Sequence, residues 1–367
     1  MKSTSALRRI LLMCACAVVP AQALDRSLFM PRPLPYRFGA QTGGAAMERS
    51  PVRGQDGSLQ LSETELRLHA PIGAGRPDQL TVGLALDHLV ADGNARFPAT
   101  AELPDHFTRV TGSLSWKRML PGARSLTISA DFGSASDEPF DSNDELLYGL
   151  ATVAVLPASG PEPGRTAWLV GAVWRNDLEA LDGWPIPLLV YSTRVGGTLD
   201  LKLGMPMAYA TWRPRDSVIL AGGWRYGAFG MRAEYRPQRW LGLGVRLRRN
   251  GFSGFRAART DEDLRISYSD YEAAAYSEVA FGPGRQAQVA VGWRFDREFT
   301  EERIDPWWED NDDNAIEVDG SWFASMRFEW TFGLRARRGG RGGPPRAPAG
   351  GDEPKPVTPG TAPDAEG

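Results

Sequence analysis

Two cysteines, three histidines and no long unbroken apolar run set the first limits on this 367-residue chain. Both cysteines, Cys14 and Cys16, fall inside an amino-terminal targeting segment, so neither disulfides nor thiol catalysis are expected of the mature protein. Beyond that segment no stretch approaches the roughly 18 to 20 apolar residues of a membrane-spanning helix, which excludes a helical membrane protein. Charge of one sign is also missing. The 42 basic and 45 acidic side chains leave a net charge of -3, without the basic footprint that nucleic acid requires. A hydrophobic fraction of 42% is too high for a wholly disordered chain. What remains is a soluble β protein or a membrane barrel.

The amino terminus has the three parts of a secretory signal: basic Lys2, Arg8 and Arg9, an apolar run from Ile10 to Val19, and the small-x-small site Ala21-Gln22-Ala23. Residues 1–23 are therefore expected to be removed, leaving Leu24 as the mature terminus. A lipoprotein acylated at Cys14 or Cys16 is the competing reading; bulky Met13 and the short apolar run before Cys16 speak against it. From residue 333 to 367 the composition turns to Arg-Gly and then to Pro, Gly, Ala and Asp, which cannot bury a core and reads as a disordered periplasmic tail.

Between these ends, alternation of period two dominates. Leu80, Val82, Leu84 and Leu86 alternate with small or polar residues, and Leu241, Leu243, Val245 and Leu247 with Gly242, Gly244, Arg246 and Arg248. Val289, Val291, Trp293 and Phe295 repeat the pattern, as do Trp322 to Phe332 near the end. Further segments lie at 65–72, 110–117, 126–132, 147–156, 167–176, 199–205, 218–226, 229–236 and 271–281, and a weaker one at Tyr36 to Thr42. Many run roughly 8 to 11 residues, the length with which a tilted strand crosses a bilayer. The links between them tend to alternate long and short, as in outer-membrane barrels with short periplasmic turns and an even strand number. These features predict an all-β, antiparallel up-and-down transmembrane β-barrel over residues 24–332, with about 14 strands and 12 as the alternative count.

Alternation alone does not separate a barrel from a soluble sandwich, because the two differ only in which face meets water. The polar face here is rich in arginine and acids, which suits an ion-paired lumen, and tryptophans sit near strand ends, as at Trp116, Trp224, Trp293, Trp322 and Trp330. Candidate lumen-lining residues are Arg232, Glu234, Arg246, Arg248, Arg294, Arg327 and Glu329. The run Phe328-Glu329-Trp330-Thr331-Phe332 looks like the terminal aromatic signature by which such barrels are recognised for assembly, although the chain continues to Gly367.

The segment Trp184-Pro185-Ile186-Pro187-Leu188-Leu189-Val190-Tyr191, followed by Leu199 to Pro206, resembles a family of predicted bacterial outer-membrane β-barrel proteins catalogued only as a domain of unknown function. The resemblance spans about Arg67 to Phe332. It implies the fold and an outer-membrane location; it carries over no activity and no functional residue.

Evidence for chemistry is thin. His69, His88 and His106 could join a serine and a carboxylate in a membrane-embedded lipid hydrolase, but lumen or surface histidines explain them as well. The run Glu309 to Asn314 offers oxygen ligands, yet Ala315 and Ser321 stand where a calcium loop needs glycine and glutamate, so no metal site is expected. No catalytic group and no cofactor is expected either. The glycine pairs Gly222-Gly223 and Gly242-x-Gly244 lie within strands, where they would relieve crowding inside a barrel. The expected function is a passive channel for small polar or anionic solutes. The alternatives are a structural or binding barrel with a closed lumen, and the lipid hydrolase. Expected partners are outer-membrane lipid, lipopolysaccharide and the barrel-assembly machinery, with no nucleic acid.

Overall fold

The computed structural model describes residues 37–72, 78–98, 102–159, 166–176, 184–225, 228–257, 264–303 and 314–333. The signal segment 1–23, the tail beyond Gly333 and the acidic run from Glu309 to Asp313 lie outside the described residues. The strands are β1 (Arg37–Met47), β2 (Ser50–Pro51), β3 (Ser58–Ile72), β4 (Asp78–Gly93), β5 (His106–Leu120) and β6 (Arg124–Ser136). There follow β7 (Leu146–Pro157), β8 (Ala167–Arg175), β9 (Ile186–Val195), β10 (Leu199–Met205), β11 (Met207–Arg215) and β12 (Val218–Arg225). The last are β13 (Ala228–Gln238), β14 (Leu241–Gly254), β15 (Leu264–Gly282), β16 (Arg285–Arg303), β17 (Ala315–Val318) and β18 (Ser321–Gly333). Among the described residues there is no α-helix.

All 18 strands belong to one sheet, and the sheet closes. β1 pairs antiparallel with β3 on one side, Gln41 opposite Arg67, and with β18 on the other, Gln41 opposite Glu329. Short β2 and β17 extend links beside β3 and β16, so the continuous wall is made of the other 16 strands. An even count brings Arg37 opposite Gly333 at one end of the barrel, the closing end. The other, loop end carries the longer links, including residues 94–105, 137–145 and 304–320.

The wall has two more strands than the 14 expected from the sequence, and both additions lie between Arg175 and Val218. β9 was concealed because it is apolar on both faces: Ile186, Leu188 and Val190 are buried while Leu189 is exposed, and Pro187 interrupts the pattern. β11 follows β10 after the single residue Pro206 and contains Pro214, where the register with β12 shifts between Trp212 and Arg215. Proline lacks a ladder donor and argues against a strand when read locally.

Solvent exposure decides which face points outward. Leu243 and Val245 of β14 are 44% and 58% exposed, while Gly242 between strands of the same wall is buried and Glu234 beside it is 2% exposed. Phe132, Leu150, Val170, Val291 and Met326 are exposed likewise. A soluble sandwich hides this face; here it forms a continuous apolar exterior, far beyond the scattered patches of soluble proteins. Tryptophans mark its borders. Trp174, Trp224, Trp293 and Trp322 lie toward the loop end, and Trp116, Trp168, Trp212 and Trp330 toward the closing end. From Trp322 to Trp330 along β18 is about 26 Å at the usual strand rise, of the order of the apolar band of about 25 Å in outer-membrane barrels.

Two buried apolar clusters occupy parts of the inner face. One gathers Leu59, Leu61, Leu89, Phe107, Phe299 and Phe323 near the loop end. The other joins Val153, Val155, Leu169, Leu188 and Val190 of β7, β8 and β9. Elsewhere small residues make room for large neighbours. A Cβ on Gly244 would lie 2.5 Å from the ring of Tyr276, and one on Gly292 would lie 2.2 Å from the backbone oxygen of Ala273.

These placements predict that Val289→Arg, on the exterior and directly opposite Met326 midway between Trp322 and Trp330, costs about 2 to 4 kcal/mol of folding stability in lipid vesicles. Arg232→Gln, half-exposed on the opposite face, is expected to change it by no more than about 1 kcal/mol. Urea titration of each variant, followed by heat-modifiable gel mobility, checks the difference; equal losses would reverse the assignment of faces.

Candidate functional site

The inner face of β14, β15, β16, β18, β1 and β3 carries a network of ion pairs. Arg248 stands directly opposite Glu272 across β14 and β15, and Glu272 stands opposite Arg294 across β15 and β16. Glu272 is fully buried and accepts hydrogen bonds from Arg246 Nε at 2.6 Å and Arg248 Nη2 at 2.8 Å. Arg246 also donates from Nη1 to Gln288 at 2.7 Å.

Arg294 joins distant strands. Its guanidinium donates to Glu63 on β3 at 2.5 and 2.9 Å and to Asp270 on β15 at 2.9 Å. β16 and β3 are separated along the wall by β18 and β1, roughly 14 Å at the usual strand spacing. A side-chain pair can take that short cut only on the concave side. Asp270 also accepts from Tyr268 at 2.7 Å and from Asn250 at 2.6 Å. On β18, Arg327 donates to Glu65 at 2.6 Å, and Gln41 reaches the same carboxylate at 3.1 Å. Arg67 pairs with Asp87 at 2.6 Å.

Opposite walls meet at the loop end. The end of β14 crosses the interior to β5 and β6, which lie on the far side of the ring. Arg109 of β5 donates to the Ser253 carbonyl at 2.7 Å, Phe255 N–H donates to the Ala135 carbonyl at 2.8 Å, and Ala257 N–H donates to Asp137 at 2.7 Å. Arg256 pairs with Glu301 at 3.2 Å. Residues 251–257 therefore form a strap across the interior. Beneath it lies a cavity of about 120 Å³, bordered by Glu63, Glu65, Asp87, His88, Phe252 and Arg294, with Arg109, Arg246, Arg248 and Arg327 completing its charged lining.

Of the seven residues singled out in the sequence, Arg246, Arg248, Arg294 and Arg327 border this cavity. Arg232 and Glu234 are on β13, away from it. Glu234 is held by Arg236 and by the Tyr276 hydroxyl at 3.0 Å, and Arg232 lies 3.8 Å from it. Glu329 accepts from Gln286 at 2.8 Å, nearer the closing end. Glu63 and Asp270 were missed because β3 begins at Ser58 and β15 at Leu264, ahead of the segments expected from residues 65 and 271, while Glu65 and Glu272 lay within those segments but were not among the seven. The strap left no sequence signal: Gly251 to Phe255 resembles an ordinary strand end.

The histidines do not assemble a hydrolase site. His88 Nδ1 shares a hydrogen bond of 2.9 Å with the Thr108 hydroxyl, and its ring centre lies 5.9 Å from that of His106. His69 occupies the space over Gly39. Among the described residues no histidine is seen joined to both a serine and a carboxylate, and no cluster of three metal-ligating side chains occurs.

No family model and no curated protein matches this chain. Among solved structures it is similar to an outer-membrane channel from Pseudomonas putida F1, at 12% identity over 82% of this chain and 97% of that one, with a TM-score of 0.36. It is also similar to the Ralstonia pickettii toluene transporter TbuX (7% identity, 87% and 95% coverage, TM-score 0.34) and to the translocator domain of the autotransporter NalP from Neisseria meningitidis (10%, 89% and 96%, 0.30). Likenesses at these scores carry no functional argument, and the reading below rests on the barrel's own geometry.

Because Arg294 is buried among three carboxylates, Glu63, Asp270 and Glu272, Arg294→Met removes the charge they share and is expected to destabilise the barrel by about 3 to 5 kcal/mol. Arg213→Met removes a half-exposed pair with Asp200 and should cost less than about 1 kcal/mol. Urea midpoints in vesicles measure both; a small effect at Arg294 would show that the network is hydrated and loose.

Proposed function

We propose that this chain spans the bacterial outer membrane and passes small polar or anionic solutes along a passage that the strap keeps narrow. The observation that carries this reading is the inversion of faces: the apolar surface is outside and the charged groups are inside. In hydrocarbon every backbone N–H and C=O must be paired within the protein, which leaves helices and closed barrels as spanning structures. The closed wall meets that demand. Short turns at the closing end favour placing it in the periplasm, with the longer links outside. Outer-membrane lipid and lipopolysaccharide are then its surroundings, and the aromatic end of β18 is the segment that assembly machinery would engage.

Sixteen strands could enclose a wide aqueous channel. The strap and the inner apolar clusters argue instead for a small bore. Shared carboxylates also offset much of the arginine charge, so the anion preference expected from arginine alone is weakened. A second reading, a barrel with a permanently closed lumen whose external links bind partners, draws on the same strap.

Single-channel recording in planar bilayers separates the two. The passage reading expects small unitary currents from wild type and larger ones from Arg109→Ala, which removes the hydrogen bond holding the strap to β5. A silent bilayer for both proteins, with folding intact, would favour the closed barrel.

A further inference from the structure

Five arginines border the cavity beneath the strap, against three carboxylates, Glu63, Glu65 and Asp87. Their hydrogen bonds are unequally distributed. Arg294 uses both terminal nitrogens on Glu63 and Asp270. Arg246 uses Nε and Nη1, whereas Arg248 uses only Nη2 and Arg327 only Nε among the described residues. Arg248 Nε is buried without a partner there. Each guanidinium has five N–H donors in a flat fork; Nη1 of Arg248 and both Nη atoms of Arg327 donate no hydrogen bond among the described residues, and both side chains line the cavity. A single carboxylate, that of Glu272, serves both Arg246 and Arg248.

Resting on the reading of this barrel as a solute passage, we propose that the cavity is a binding site for one small monocarboxylate solute, gripped by Arg248 and Arg327 with Arg246 behind them. A carboxylate presents two coplanar acceptor oxygens that match the guanidinium fork and form short charge-assisted hydrogen bonds. The volume limits the solute. About 120 Å³ is somewhat less than the apolar cavity of about 150 Å³ that accepts benzene, so the solute has roughly six non-hydrogen atoms or fewer. The charge limits it as well. With the partners behind the lining included, Arg67, Arg109, Arg246, Arg248, Arg294 and Arg327 stand against Glu63, Glu65, Asp87, Asp270 and Glu272, an excess of one positive charge that suits a monoanion, whereas a dianion such as phosphate would meet net repulsion.

The site is tested by binding, independently of conductance, with the full chain folded in detergent micelles. Saturation-transfer NMR is run with propionate, its uncharged counterpart propanamide, and inorganic phosphate. Propionate is expected to bind and propanamide not to. Arg248→Gln and Arg327→Gln should each weaken propionate at least tenfold. Ser325→Leu keeps every charge but fills space at the lining, and should abolish binding; Arg232→Gln, outside the cavity, should leave it unchanged. Heat-modifiable mobility confirms that each variant is folded. Equal binding of propionate and propanamide, or binding that survives Ser325→Leu, would overturn the site, and phosphate displacing propionate at lower concentration would overturn the carboxylate class. Silent bilayers with intact propionate binding would remove the passage and leave the site, while open channels that bind no propionate would remove the site alone.

Discussion

A strand whose outer face meets hydrocarbon has no water to satisfy its backbone, and an unpaired peptide group there costs several kcal/mol. That requirement dictates the architecture. β1 cannot end the sheet as a free edge, so it pairs along its length with β18, from Arg37 opposite Gly333 to Met47 opposite Phe323, while its other side pairs with β3. Once the ring is closed, every alternate side chain must point either to the exterior or to the interior. Leu243 and Arg246, three residues apart on one strand, thereby occupy media of opposite polarity.

The interior brings its own constraint, because charges removed from bulk water must find partners. The barrel meets it by sharing. Glu272 serves Arg246 and Arg248, and Arg294 bridges Glu63 and Asp270 from strands that are not neighbours. These pairs tie β3 to β16 across the concave side, as Arg327 and Glu65 tie β18 to β3. The same sharing leaves donors exposed on Arg248 and Arg327, so the network that braces the wall also shapes the cavity beside it.

The strap joins the wall to this cavity. β14 stays paired with β15 as far as Gly254 opposite Ile266, and this end and the residues after it are held on the opposite side by Arg109, Ala135 and Asp137. Two apolar clusters occupy other parts of the inner face. Inner volume is therefore divided between these clusters and the charged groups around the cavity.

Period-two alternation was legible wherever a strand separates two unlike media, as in β4, β14, β16 and β18, and it was enough to read the class of fold and to put Arg246, Arg248, Arg294 and Arg327 on the polar face. It failed at β9, where Leu188 and Leu189 are both apolar because one faces a cluster and the other the exterior, and at β11, where Pro214 disturbs the register. Which strands neighbour each other across the closure, and hence that Glu63 meets Arg294 some 230 residues away, depends on bringing the two ends of the sheet together. The crossing of β14 to β6 depends likewise on curvature of the whole ring. The sequence by itself determined the two faces, since each side chain's polarity is a local property; the number of strands in the ring, the pairing of its charges and the cavity they enclose were decided by closure, which is a property of the entire wall.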